Sequence, residues 1–272
     1  MMTDAIRGAT AHDYAVYAAL FRQLGLDDPT PSAERFATEL APRTLICERD
    51  GQPIGYVYYD QLAVNGYIRN LVVAPAARGA GVGAALLTAA ARQLRERGVT
   101  DAWHLYVKAD NATAIRLYER FGMRVEHRSV ALRFAWAQLD RLPAEAEAAH
   151  VTVLPVPAED DDDIERALGI LGGRLGVSRA RGGNVMRQLR DAQLAPVGVA
   201  CFDPAFPGVF PFCTTRPALA ARLLGALAPH ARPGDLDLQI LVEDDDALAD
   251  ALVAAGAVVR MRLLHYAGPL PA

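Results

Sequence analysis

Cysteine is scarce in this 272-residue chain: Cys47, Cys201 and Cys213 are odd in number and show no C-x-x-C spacing. That pattern argues against a disulfide framework and against a zinc site, so reduced, partly buried thiols and no metal are expected. Lysine is scarcer still. Lys108 stands alone among 28 basic side chains, a bias of composition that says nothing about function. Long apolar runs are missing, none approaching the roughly 18 residues of a membrane span. The opening "MMTDAIRGATAHDY" lacks the basic-then-apolar order of a secretory leader. A cytoplasmic protein without membrane association is the expectation.

A concentrated positive face is also lacking. Residues 1–138 carry 16 basic and 14 acidic side chains, and the remainder 12 and 18, for a net charge of −4 overall. Phosphate affinity on the scale of nucleic acid needs a dense basic surface, so no nucleic-acid partner is expected and any anionic ligand must be held locally. An apolar content of 52% is enough for real cores, in one large domain or two of ordinary size.

Helical spacing over Asp13 to Leu24 and Ser32 to Leu40 follows a first strand near Ala5 to Gly8. "TLICERDGQPIGYVYYDQLAVNGYIRNLVV" then reads as an antiparallel meander of three strands, with Asp50-Gly51 and Asn65-Gly66 as its two turns. A helix follows whose apolar residues Val82, Leu86, Leu87, Ala90 and Leu94 share one face, ending at Gly98. A strand at Ala102 to Val107 leads to "DNATAIRLYERFG", a helix capped by Asp110 or Asn111 and closed by Gly122, and a last strand spans about Val125 to Phe134.

Residues 139–150 lie in an alanine- and glutamate-rich stretch with little apolar content, the expected linker. An imperfect repeat supports the division, since "PIGYV" at Pro53 is echoed by "PVGVA" at Pro196, and "VVAP" at Val72 by "TTRP" at Thr214. The echo fails where chemistry would sit. No glycine-rich loop follows Thr214, and Asp245 and Leu252 stand where the first half has Asn111 and Tyr118. The run "AEDDDDIERAL" reads as a solvated helix start rather than a metal site.

The stretch "LVVAPAARGAGVGAALL" is the most informative. Three alternate glycines, Gly79, Gly81 and Gly83, open a helix although each costs roughly 0.5–1 kcal/mol there relative to alanine. A tight turn explains part of this, and a bound anion the rest. Free N–H groups and the positive end of the helix dipole hold phosphate well, and glycine lets it approach the backbone. The G-x-G-x-G spacing departs from the dinucleotide fingerprint G-x-G-x-x-G, and no Gly-Lys-Ser/Thr follows to make a P-loop.

"VVAPAARGAGVGAALL" followed by "DNATAIRLYERFGM" resembles the acyl-coenzyme-A motifs of the GNAT superfamily of N-acyltransferases. The resemblance implies two α/β (α+β) GNAT-like domains, each a mixed, mostly antiparallel sheet flanked by helices. Residues 1–138 would be the active domain and 151–272 a degenerate one. It implies acetyl-CoA as cosubstrate, with Arg78, Gly79, Ala80, Gly81, Val82, Gly83 and Ala84 around the pyrophosphate. Leu71, Val72 and Val73 would meet the pantetheine arm, Val73 through its main chain, and Asn111 and Ala114 would lie beside it. Tyr118 matches the tyrosine that protonates the departing thiolate.

Where many family members place a glutamate on the strand entering the loop, this chain has Tyr67, and no carboxylate lies between Tyr67 and Val73. Tyrosine, with a reference pKa of about 10, is a poor base at neutral pH. His104 has the right reference pKa and shares a strand face with Tyr106. The catalytic candidates are thus Tyr118, His104 and Tyr67, with Arg69 and Asn70 near the acceptor, a small-molecule or peptide amine. The reading is direct acetyl transfer in a ternary complex. A silent coenzyme-A-binding sensor or assembly module is the reading from another class, and a homodimer is compatible with both.

Overall fold

The computed structural model describes residues 4–25, 29–62, 64–143 and 150–271. In chain order these form β1 (Asp4–Gly8), α1 (Tyr14–Phe21), α2 (Ala33–Arg35), β2 (Thr44–Arg49), β3 (Gln52–Leu62), β4 (Asn65–Val73), α3 (Val82–Glu96), β5 (Ala102–Lys108), α4 (Ala112–Arg120) and β6 (Arg124–Ala135). Then come β7 (Thr152–Pro155), α5 (Asp161–Leu168), α6 (Arg174–Ala180), β8 (Val185–Arg190), β9 (Pro196–Asp203), β10 (Gly208–Thr214), α7 (Ala220–Leu227), β11 (Asp237–Glu243), α8 (Asp246–Ala254) and β12 (Val258–Pro269). Among the described residues no helix is long and apolar enough to cross a membrane.

Two compact units result, one of Met1–Glu126 with His265–Ala272, the other of His127–Leu264. The division differs from the expected one at 139–150, of which 144–149 lie outside the described residues. It falls inside β6 and inside β12, because the chain's last residues belong to the first unit. Composition signals a linker only where the chain is polar and loose, and a boundary inside an apolar strand leaves no such mark.

In the first unit β1 to β4 are successive antiparallel neighbours and β5 pairs parallel to β4. The C-terminal part of β12 and the start of β6 continue the order beyond β5. One face of the sheet packs Ile46, Tyr56 and Val72 against Tyr17, Leu20 and Phe36 of the N-terminal helical region. The other faces α3, where a Cβ on Gly55 would lie 3.4 Å from Leu86 and one on Gly66 only 2.6 Å from Leu94. Gly66 is therefore a strand residue that admits Leu94, paired with Trp103, and the expected Asn65-Gly66 turn is not there. Asp50 and Gly51, with φ of 50° and 77°, do form the expected left-handed turn.

The second unit follows the order β12-β6-β11-β10-β9-β8-β7, with β10 and β11 as its parallel pair. Its core gathers Leu132, Phe134, Phe202, Leu223, Leu238 and Leu252. The acidic run opens α5 as expected, and its charges are matched by arginines: Asp161 by Arg179 at 2.6 Å, and Asp160 and Asp163 by Arg190 at 3.1 and 3.2 Å.

Candidate active site

The three loop glycines serve different ends. Gly79 and Gly81 hold φ of 78° and 84°, left-handed values that cost a residue with a Cβ. Gly83 has ordinary backbone, but a Cβ there would come within 3.2 Å of Leu117 and 3.8 Å of Val73. It lets the start of α3 close on α4 and on the end of β4. Helix α3 begins only at Val82, and its first internal bond runs from Ala85 N–H to the Gly81 carbonyl at 3.0 Å. The preceding N–H groups thus have no helical acceptor and point out of the helix end. Arg78, Gly79, Ala80 and Gly81 are all exposed. The surroundings fit an anion.

Beside this loop the sheet opens. The pairing of β4 with β5 runs from Gly66–Trp103 to Ile68–Leu105 and stops there, although β4 continues to Val73 and β5 to Lys108. Ala74 N–H donates to the Ile54 carbonyl of β3 at 2.8 Å. Main-chain groups alternate edges along a strand, so Val72 faces β3 as Ala74 does, whereas Leu71 and Val73 turn theirs to the unpaired edge. On that edge Arg78 Nε donates to the Val73 carbonyl at 3.0 Å. Leu117, Val73 and Leu71 all come within 4 Å of where a Gly83 Cβ would sit, and they, Ala114, Ile115, Gly83 and Ala84 are half-buried. Val72 and Val82 instead send their side chains into the core, 4% and 2% exposed. Their side chains are structural.

Asn111, not Asp110, caps α4, its side-chain oxygen accepting Ala114 N–H at 3.1 Å. Tyr118 is the buried residue of that helix, and burial raises its phenol pKa well above the usual tyrosine range. A phenol so placed stays protonated and acts as a donor.

On the face occupied by Tyr67, the rings of Tyr67, His104, Tyr106 and His265 pack together with centroids 4.8 to 6.3 Å apart. Tyr67 and His104 are register partners across β4 and β5, 1% and 3% exposed. The Arg69 guanidinium lies 4.4 Å from the Tyr67 ring centroid and 3.5 Å from Asp60. Asn70 donates to the Arg69 carbonyl at 2.8 Å. Two members of this face escaped the sequence reading. His265 and Glu126 reach His104 from β12 and β6, Glu126 lying 3.5 Å from the His104 Nδ1.

The model for the acetyltransferase (GNAT) family matches residues 14–123. Curated relatives include a mycothiol acetyltransferase from Streptomyces avermitilis, 38% identical over 90 residues that make up 32% of this chain and 29% of that protein. Another, from Nocardiopsis dassonvillei, is 42% identical over 74 residues, 27% of this chain and 18% of that protein. The chain thus spans less than a third of the length of these relatives. Among solved structures, a GCN5-related N-acetyltransferase from Sphaerobacter thermophilus has a TM-score of 0.68 at 17% identity, covering 99% of this chain and 96% of that one. A tandem GNAT protein from the clavulanic acid biosynthesis pathway has a TM-score of 0.60 at 15% identity, covering 100% and 99%. At such identities the likeness is one of fold, and it extends through both units.

The opening in the first unit has a counterpart in the second without the exposed glycine turn. There β10 and β11 pair only over Gly208–Gln239 and Val209–Ile240. The turn and helix that follow bury Ala218, Leu219 and Ala220, where the first unit exposes its loop. Cys201 and Cys213 lie in this unit, their thiols pushed up to about 12 by burial, and Cys47 is raised in the first for the same reason. All three are free cysteines.

Proposed function

We propose that the protein transfers an acetyl or similar short acyl group from acetyl-coenzyme A to the amine of a small molecule or peptide, by direct attack within a ternary complex. The parting of β4 and β5 beside a glycine-built helix start carries this reading. It offers an unpaired strand edge for an amide-bearing arm next to an anion-binding turn.

The N–H groups around Gly79 to Ala84 and the Arg78 charge hold the pyrophosphate. Leu71 and Val73 offer main-chain groups to the pantetheine arm, with Leu117 and Ala114 beside it. As the amine attacks the thioester carbon, charge builds on the carbonyl oxygen, and the fixed Val73 N–H stabilises it. The carbon–sulfur bond then breaks, and Tyr118 gives its phenolic proton to the thiolate. His104 accepts the proton that the nitrogen sheds, in a face walled by Tyr67 and bordered by Arg69 and Asn70.

Calorimetry with acetyl-coenzyme A tests the reading. One site per chain is expected, and no binding overturns it. A screen of amine acceptors, including that of the mycothiol acetyltransferases, is run beside Tyr118→Phe. The variant should bind as before yet lose roughly 10²–10⁴ in acetyl transfer. Binding without transfer to any amine favours a silent coenzyme-A module instead.

A further inference from the structure

Three polar side chains from distant parts of the sequence converge within the first unit. His104 stands on β5, His265 on β12 and Glu126 on β6, strands adjacent in the order β5-β12-β6. Each offers one ligand atom, and the three atoms lie within 4.8 Å of one another. Nδ1 of His104 is 3.5 Å and Nδ1 of His265 3.7 Å from the same oxygen, Oε2 of Glu126. Both separations exceed the roughly 2.7–3.2 Å of an N–H···O hydrogen bond. They come close to the about 3.4 Å that separates neighbouring ligand atoms around a tetrahedral ion bound at about 2.0–2.1 Å.

We propose that His104, His265 and Glu126 form a binding site for a divalent transition-metal ion of the zinc class. Two imidazole nitrogens and one carboxylate oxygen suit such ions rather than magnesium or calcium, which take oxygen. Three protein ligands leave a fourth position for water or a substrate atom. The histidines are prepared for the role by their packing. Their rings lie 5.3 Å apart with planes within 24°, His265 against Tyr106 at 4.8 Å and His104 against Tyr67 at 6.3 Å. Side chains locked this way lose little freedom when they bind. The imidazoles are buried, whereas the Glu126 side chain is 44% exposed, so an ion enters from the carboxylate side. That carboxylate offsets half of a divalent charge.

The site goes beyond the acyl-transfer reading and changes one role within it. An ion on Nδ1 takes up the His104 lone pair and makes that residue a ligand. The acceptor nitrogen then sheds its proton to a metal-held hydroxide, leaving bound water, since such ions lower the pKa of their water toward about 7. The ion binds whether or not coenzyme A does.

The test uses the chelator-treated full chain without coenzyme A, titrated with Zn²⁺ by calorimetry and with Co²⁺ by visible absorption. Saturation at one ion per chain with the intense Co²⁺ bands of a four-coordinate site is expected. His265→Ala and Glu126→Gln should each weaken binding by more than the roughly 10–100-fold that outer-shell partners are worth. His12→Ala, at an exposed position, should bind as the parent does. Glu126→Gln keeps its shape at a partly exposed position, so its loss of affinity cannot be laid to misfolding. Absence of stoichiometric binding by the parent, or equal binding by both ligand variants, overturns the proposal. Metal binding by a protein that ignores acetyl-coenzyme A would leave this site standing and remove the acyl-transfer reading.

Discussion

The two units place the same strand–turn–helix in different service. In each, a glycine on the preceding strand approaches the next strand's carbonyl: a Cβ on Gly55 would lie 2.7 Å from the Val72 oxygen, and one on Gly198 3.2 Å from the Cys213 oxygen. In each, a side chain caps the second helix, Asn111 toward Ala114 and Asp245 toward Leu248. The parts that hold the sheet together are therefore common to both. What differs is the turn between strand and helix. The first unit exposes Arg78 to Gly81 with two left-handed glycines, whereas the second runs through Thr215, Arg216 and Pro217 into buried Ala218 and Leu219. An exposed glycine turn does little for stability, so its presence in one unit alone fits the ligand role proposed for that unit.

Substitutions can break or sharpen this comparison. The largest expected effect is on stability. Gly55→Ala must push a Cβ against a carbonyl and should destabilise by about 2–3 kcal/mol, while Gly198→Ala, with more room, should cost about 1–2 kcal/mol. Equal losses in urea unfolding would mean that the difference in room at the two glycines does not set the cost. Next, Arg78→Ala should weaken acetyl-coenzyme A binding about tenfold, roughly 1.4 kcal/mol, whereas Arg216→Ala should leave it unchanged. Sensitivity to Arg216 would show that the second unit still binds ligand. The cap variants Asn111→Ala and Asp245→Ala should each cost about 1 kcal/mol of stability. Only the former should alter coenzyme affinity as well.

The smallest effect concerns acid. Arg7 donates to both Asp13 carboxylate oxygens at 2.9 and 2.7 Å and, with Thr10, holds that carboxyl down to about 2 from its ordinary 3.8. A carboxylate depressed by folding adds stability that is fully present above its unfolded value and disappears as pH falls through the folded one. Arg7→Ala should therefore cost about 1 kcal/mol above pH ~4, and its deficit should vanish near pH 2. A deficit that persists below pH 2 would mean that Arg7 acts through packing instead.

The coenzyme half of the proposed site could be marked out along the sequence because its parts are local. Loop glycines, Arg78, the Asn111 cap and Tyr118 lie within one strand–helix–strand–helix run, where spacing along the chain stands for spacing in the fold. The distinct duty of Gly83 was not legible, since its neighbour Leu117 comes from the next helix. Gly66 misled for a similar reason. An Asn-Gly pair signals a turn, but Leu94 above it made the missing side chain a matter of packing.

By itself the sequence determined that the chain builds sheets flanked by helices, that one segment forms an exposed turn suited to an anion, and that its second half lacks one. These follow from periodicity, φ preferences and charge, which act over a few residues. Only the tertiary structure decided that Leu71 and Val73 face an unpaired edge, that the last residues of the chain join the first unit, and that His265 and Glu126 stand beside His104. Strand order is set by which apolar faces bury one another, and that energy is shared across the whole sheet instead of being written in any one stretch of chain.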